Sequence, residues 1–398
     1  MSKVKKILQL GLRLSVLPLV TLFYLLRRFI EVELVLPNVT LFGHLALEPE
    51  KILCQERVKK ATTNSKRKRL LIWSFGKKRD QVNTTLVKIW KRSVFSMPAA
   101  IIDAIHRSSK WFPKFEIKIM QFDKLHENDH VLDSCGSHLQ FKESEVQAGR
   151  SYLRSVGLKI GDPYVCLIVR EAAWAPTSTG ASSSGALRSR SFEDFILAAE
   201  ALADLGVTVI KLGAPGTFKT NATRIIDYAN SSEKSKFLDV YLPANATCAV
   251  STMSGPDAVA LVGRVPVLYV DIAQYSLCFA GTKLTTWVPA VLKDKKSDQF
   301  LSLTKVFDSG AGRFLGSAAF DEAGIAVINS TPESIRDNCL AFYANLNTNS
   351  QSDLDAQQIT YQNKFHSLLS RNSVSVLGPF SSRLSEKFLR DYGDAFLS

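Results

Sequence analysis

YVCLIV, residues 164–169, is the stretch whose reading decides the fold class. Six consecutive apolar residues are too few for an ordinary helix, and no polar residue marks a solvent face. Such a run fits a strand buried on both sides, as in a parallel sheet covered by helices. A helical stretch precedes it, Glu143 to Val156, stopped by Gly157 and by Gly161-Asp162-Pro163. After it the alternation continues. A helix runs from Ser191 to about Leu205, with Ser191 and Asp194 spaced as a capping box. Val207 to Leu212 is a strand, Arg224 to Tyr228 helical, Phe237 to Tyr241 strand-like, and Cys248 to Thr252 a strand. A helix then starts at Ser254-Gly255-Pro256 and a further strand covers Val267 to Val270. This is a doubly wound α/β pattern.

The first half carries the same alternation more loosely. Val32 to Leu36 and Leu70 to Phe75 read as strands, with a short helix through Ala46–Glu50 between them. Thr84 to Arg92 and the segment after Met97-Pro98 read as helices, and Phe115 to Phe122 as an apolar strand. Residues 57–69 (RVKKATTNSKRKR) read as a basic surface loop. The expected organisation is a membrane-associating helix over 1–30 and two Rossmann-like domains, 31–155 and 156–345. A helical segment, 346–398, follows and can cross back to the first domain.

The chain has 398 residues, 46% hydrophobic and 22% charged, which suits buried cores and argues against general disorder. Its net charge of +13 favours anionic partners: nucleotide phosphates, acidic lipids or glycans, or nucleic acid. Nucleic acid is set aside, because the basic residues are not interleaved with aromatics and no recognition fold is visible. Six cysteines are scattered without a CxxC, so no zinc site is expected; Cys166 and Cys248 read as small buried hydrophobes.

At the N-terminus, Lys3, Lys5 and Lys6 precede an apolar run, and Arg27 and Arg28 follow it. Its charge-free part, Leu14 to Leu26, is 13 residues long, whereas a span needs about 20. An interfacial helix lying on a membrane surface is the favoured expectation, with a signal-anchor span and a core helix as alternatives.

Ligands of open parallel sheets sit beyond the carboxyl ends of the strands, and that rule nominates the site residues. Arg170 follows the strand 164–169, where a planar guanidinium suits a diphosphate; a structural ion pair with Glu171 or another acid is the plainer reading. Ser251, Ser254 and Gly255 lie between a strand and a helix N-terminus, where N–H groups and the helix dipole favour an anion. Ser254 would equally serve as an ordinary N-cap. His44, in the first strand-to-helix loop, offers a base near neutral pH, and Glu48 can share that mouth; these two are the catalytic candidates. Lys211 would add positive charge near a phosphate. Arg188, Arg190, Asp239, Asp271 and Arg313 are further candidates. GxGxxG, GxxxxGK[ST] and GxSxG are absent from the sequence, and diphosphate charge is expected to meet arginine and helix dipoles rather than a metal.

The ordered set FGHLALEPE (42–50), YVCLIVRE (164–171), RSRSFEDFILAAEALADLGVTVIKLGA (188–214), RIIDYA (224–229), FLDVYL (237–242), STMSGP (251–256) and DSGAGRFL (308–315) resembles a family of bacterial glycosyltransferases. The VRE stretch is also similar to the arginine motif of fucosyltransferase-like GT-B enzymes, whose arginine contacts the donor diphosphate. Here Ile168 and Glu171 stand where the family often has histidine and aspartate. The resemblance implies a GT-B architecture, two Rossmann-like domains facing a cleft. It implies transfer of a sugar from a nucleotide sugar, without a cofactor, to a glycan or lipid-linked acceptor. The setting would be polysaccharide or lipopolysaccharide assembly at the cytoplasmic face of the bacterial inner membrane. The alternatives are a catalytically degenerate GT-B-like glycan-binding or scaffold protein and, from six N-x-[ST] patterns, a lumenal enzyme.

Overall fold

The computed structural model describes residues 3–62, 67–120, 129–171, 183–278, 281–346, 356–372 and 380–398. The chain is mixed α/β with parallel sheets and divides into two compact units. The first is Met1–Leu125 with His138–Gln140; the second is His126–Ser137 with Phe141–Ser398.

In the first unit, β1 (Ile30–Val35), β2 (Lys68–Trp73) and β3 (Lys118–Ile119) form a parallel sheet of order β2-β1-β3. The residues of β1 alternate between its two faces. Val32 and Leu34 enter a core with Ile72, Ile102 and Ile105. Glu33 points the other way, where Arg69 joins it to Glu56 of the helix Phe42–Thr62. Helices therefore cover both faces.

The expected N-terminal helix is two helices, Lys3–Ser15 and Leu17–Leu26, with a bend of 44° between Lys6–Ser15 and Leu17–Leu26. Val16, Val20 and Phe23 recur at helical spacing and enter the same core as Val32 and Leu34.

The helix Phe42–Thr62 is longer than the sequence suggested, because Pro49 looks like a stop. Proline lacks the N–H that would reach the Leu45 carbonyl one turn back. That carbonyl instead accepts the Trp90 indole N–H at 2.9 Å, from the helix Thr84–Ser93, so the buried acceptor stays satisfied and the helix continues. The expected basic loop 57–69 is thus partly helix, through Lys59 and Lys60, and partly β2. Its residues 63–66 lie outside the described residues.

In the second unit, β4 (Tyr164–Val169), β5 (Thr208–Gly213), β6 (Ile225–Ile226), β7 (Cys248–Ser251), β8 (Val267–Ile272) and β9 (Thr285–Pro289) are all parallel. β10 (Val291–Asp294) and β11 (Ile325–Ile328) form a separate antiparallel pair, and β12 (Arg383–Leu384) closes the large sheet at β9. The order is β12-β9-β8-β7-β4-β5-β6. The chain winds outward from β4 to β6, then returns to lay β7 against the other side of β4. That reversal is a topological switch point, where a crevice opens beyond the carboxyl ends of the strands.

Three local expectations are corrected. Residues 224–228 are not a helix: Ile225–Ile226 adds an edge strand to β5, with the Arg224 carbonyl accepting from Val209 N at 2.9 Å. Residues 237–241 are not a strand but the start of the helix Leu238–Ala244. Both stretches are too short for periodicity to separate helix from strand. The third is the boundary at 155: the helix Glu143–Ser155 belongs to the second unit, where Gly149 lies so close to Tyr241 that a Cβ there would come within 2.1 Å of the ring. The C-terminal helices Ala356–Arg371 and Glu386–Leu397 also belong to the second unit. Phe365 and Tyr275 both pack on Trp287 of β9, at 5.2 and 5.4 Å between ring centres.

Candidate functional site

Two turns meet at the switch point, at the carboxyl ends of β4 and β7. Arg170 follows β4 directly, and its backbone N–H donates to the Thr252 hydroxyl (2.9 Å) in the turn after β7. The Arg170 carbonyl accepts from Arg190 N at 2.9 Å, which brings residues 185–190 over the same strand end. Arg188 reaches back to the Met253 carbonyl at 3.3 Å. The Arg170 side chain passes Gly185, where a Cβ would stand 3.4 Å from its guanidinium. Met253 adopts a left-handed backbone (φ 63°), uncommon for a non-glycine residue. The helix Gly255–Gly263 starts two residues on, capped by Ser254. Its first N–H groups and positive dipole end therefore belong to the site.

The electrostatics fit an anion. Burial lowers the pKa of Arg170, and lowers that of Arg188, which is pushed further down by the charge of Arg170. Two guanidiniums close enough to repel one another are a cost that a bound polyanion would offset. Arg188 Nε is buried without a hydrogen-bond partner among the described residues. Beneath the turn lies Asp257, which accepts from the Ser251 hydroxyl and from Ser254 N, each at 2.6 Å. Burial raises its pKa to about 6, against the opposing pull of those hydrogen bonds and of Arg188.

The other sequence candidates separate into roles. Ser251 is fully buried and holds Asp257; Ser254 and Gly255 form the helix start. Lys211 does not face a ligand. It is 1% exposed, with Nζ 3.2 Å from Glu171 and 3.0 Å from the Ala214 carbonyl, and Phe192 and Phe218 pack around it. Glu171 is thus the partner of Lys211, and the expected Arg170–Glu171 pair is not what the carboxylate makes. Gly216 permits this, since a Cβ there would lie 2.6 Å from the Glu171 carboxylate.

Arg190 is held by Asp271 and, at 3.0 Å, by Asp194, so both Arg190 and Asp271 serve the interior rather than a ligand. The expected capping role of Asp194 gives way to that ion pair. Asp239 lies on a helix, not at a strand end, and accepts from the Tyr228 hydroxyl at 3.1 Å. Arg313 is exposed on the single-turn helix Ala311–Arg313.

In the first unit, His44 sits in the first turn of the helix Phe42–Thr62, past the carboxyl end of β1, and not in a loop. Its Nδ1 lies 2.7 Å from the Glu48 carboxylate, whose other oxygen accepts from Asn38 N at 2.8 Å. Glu48 is buried while the His44 side chain is 36% exposed. A buried carboxylate that accepts a hydrogen bond from Nδ1–H leaves Nε2 as the free acceptor, the arrangement of an oriented general base.

No family model matches the sequence, and no curated protein matches it. Among solved structures, the chain is similar to the glycosyl transferase family 9 protein from Veillonella parvula DSM 2008. The identity is 12%, over 79% of this chain and 97% of that one, with a TM-score of 0.46. Functional assignment therefore rests on the chemistry of the site.

Sequence reasoning passed over three residues that matter. Asp257 was signalled by its capping-box spacing from Ser254. Thr252 stood in the quoted STMSGP stretch without a role. Glu50 had no local signal: it is buried on the helix Phe42–Thr62 and accepts from His138 N at 3.1 Å, binding residues 138–140 to the first unit.

Proposed function

We propose that the protein transfers a sugar from a nucleotide-sugar donor to a hydroxyl of a glycan or lipid-linked acceptor. The observation that carries this reading is the pair of guanidiniums, Arg170 and Arg188, converging beside a helix N-terminus at the switch point of the large sheet. A diphosphate would bridge the two arginines, with its remaining oxygens on the N–H groups at Ser254–Gly255. Charge that builds on the departing diphosphate would be met there without reorganisation, which favours the transition state over the bound donor.

His44 is the base in this reading. Its Nε2 would take the proton of an acceptor hydroxyl, and Glu48 would fix the tautomer and steady the imidazolium. The resemblance of 42–50, 164–171 and 251–256 to bacterial glycosyltransferases supports the same assignment of donor and acceptor roles. It also supports a place in surface polysaccharide assembly at the cytoplasmic face of the membrane.

The test begins with a thermal-shift panel of nucleotide diphosphates and nucleotide sugars. One of them should raise the melting temperature of the wild type and leave Arg170→Ala unmoved. With that donor, His44→Ala should lower kcat by about 10²–10⁴-fold with little change in donor affinity. Glu48→Gln should cost less and alter the pH profile. A flat panel from a folded protein would remove the nucleotide-sugar reading. Donor binding without turnover against any acceptor would replace the enzyme with a glycan-binding or scaffold protein.

A further inference from the structure

The two N-terminal helices have one face too many. Leu12, Val16, Leu19, Val20 and Phe23 point into the core of the first unit, which accounts for one apolar stripe. A second stripe points outward: Ile7, Leu8 and Leu14 on the first helix, Leu22 and Leu25 on the second, and Phe29 just beyond. Of nineteen large hydrophobic side chains that stand exposed among the described residues, eight fall within the first 29 positions. Isolated exposed leucines need no explanation, but a contiguous outward stripe does.

The charge around it is one-sided. Residues 1–30 contain Lys3, Lys5, Lys6, Arg13, Arg27 and Arg28 and not one acidic residue. Apolar side chains flanked by cations alone match the boundary of an anionic bilayer, where the chains enter the acyl edge and the cations meet phosphate headgroups. A protein partner would call for a rim of both signs.

We propose that this face docks the protein onto an anionic membrane, with both helices lying in the plane of the surface. No single described helix is long and apolar enough to cross a membrane, and the bent pair passes only as a unit. Crossing would withdraw Val16, Val20 and Phe23 from the core they share with Leu34 and Ile72. Docking in the plane leaves that core intact and covers only side chains already outside it. This inference is independent of the sugar-transfer reading.

The experiment is flotation of the full chain with vesicles of phosphatidylcholine alone or mixed with phosphatidylglycerol. The protein should float with the mixed vesicles, and raised salt or alkaline carbonate should release it. Leu8→Glu with Leu25→Glu changes two exposed positions, so folding should hold, as circular dichroism can verify. Partition should fall about tenfold or more, from the lost burial of two leucines. Ile160→Glu, equally exposed in the second unit, should float as the wild type does. Undiminished flotation of the double variant would overturn the proposal. So would resistance to carbonate, which would indicate a span, or a concentration-dependent dimer abolished by the same double variant, which would make a second copy the occupant.

Discussion

Arg188 and Arg190 lie two residues apart on one segment and meet opposite surroundings. Arg190 is held between Asp194 and Asp271, its charge neutralised within the fold. Arg188 reaches a backbone carbonyl, with Arg170 close enough to repel it and one buried acid, Asp257, as the nearby counter-charge. Arg188 lies in a turn, its N–H bonded to the Gly185 carbonyl, whereas Arg190 N bonds the Arg170 carbonyl, so the backbone releases the two side chains toward different neighbours. A neutralised cation holds elements together; in the function proposed above, the other arginine is the one that meets the ligand. The difference in role comes from the neighbours, since the side chain is the same.

The largest effect that would break this comparison is at Arg190. Arg190→Ala would leave Asp271 buried and uncompensated, so unfolding in urea should show a loss of about 3–5 kcal/mol. If stability held, Arg190 would have to be reassigned to the crevice. Next comes Arg188→Ala. It should leave stability nearly unchanged, because it removes a repulsion along with a hydrogen bond, yet weaken the binding of a nucleotide diphosphate by about 10- to 100-fold in titration calorimetry. A comparable loss of stability in both variants would erase the distinction.

The smallest effect is in pH. Asp257 has its pKa raised to about 6 in the folded protein, from the ordinary 3.8. The folded state therefore holds more protons than the unfolded state between those values. The contribution of this group to stability is greatest at acid pH, declines as pH rises through that window and levels off above about 6. Protonation also removes a negative charge beside Arg188. A nucleotide sugar, whose diphosphate does not itself titrate there, should bind a few-fold more tightly as pH drops through about 6, and Asp257→Asn should flatten that dependence. A pH-independent affinity in the wild type would detach Asp257 from the site.

Much of the crevice was legible because strand ends announce themselves. YVCLIV followed by Arg170, and STMS followed by Gly255-Pro256, place an arginine and a helix start where parallel sheets bind ligands. The same rule nominated Lys211 and Asp271, and there it misled. Residues on a strand end are equivalent by position, and only the pairing register and the side chains packed across it decide which is covered. β4 and β5 align Leu167 with Lys211, and Glu171 folds over onto that lysine. No pattern within a few residues of Lys211 signals an acid forty positions earlier.

The alternation of apolar strands with helices, the switch from loose to regular winding, the basic flanks of the N-terminus and the arginine after β4 were determined by the sequence alone. All are local: hydrophobic period, turn residues and charge act over spans of one element. Tertiary structure decided the rest. It chose which of two neighbouring arginines is neutralised within the fold, let Trp90 take the carbonyl that Pro49 cannot serve, and assigned the helix Glu143–Ser155 to the second unit. Each of these is a contact between residues whose meeting depends on packing and register, and burial then sets the energy of that contact.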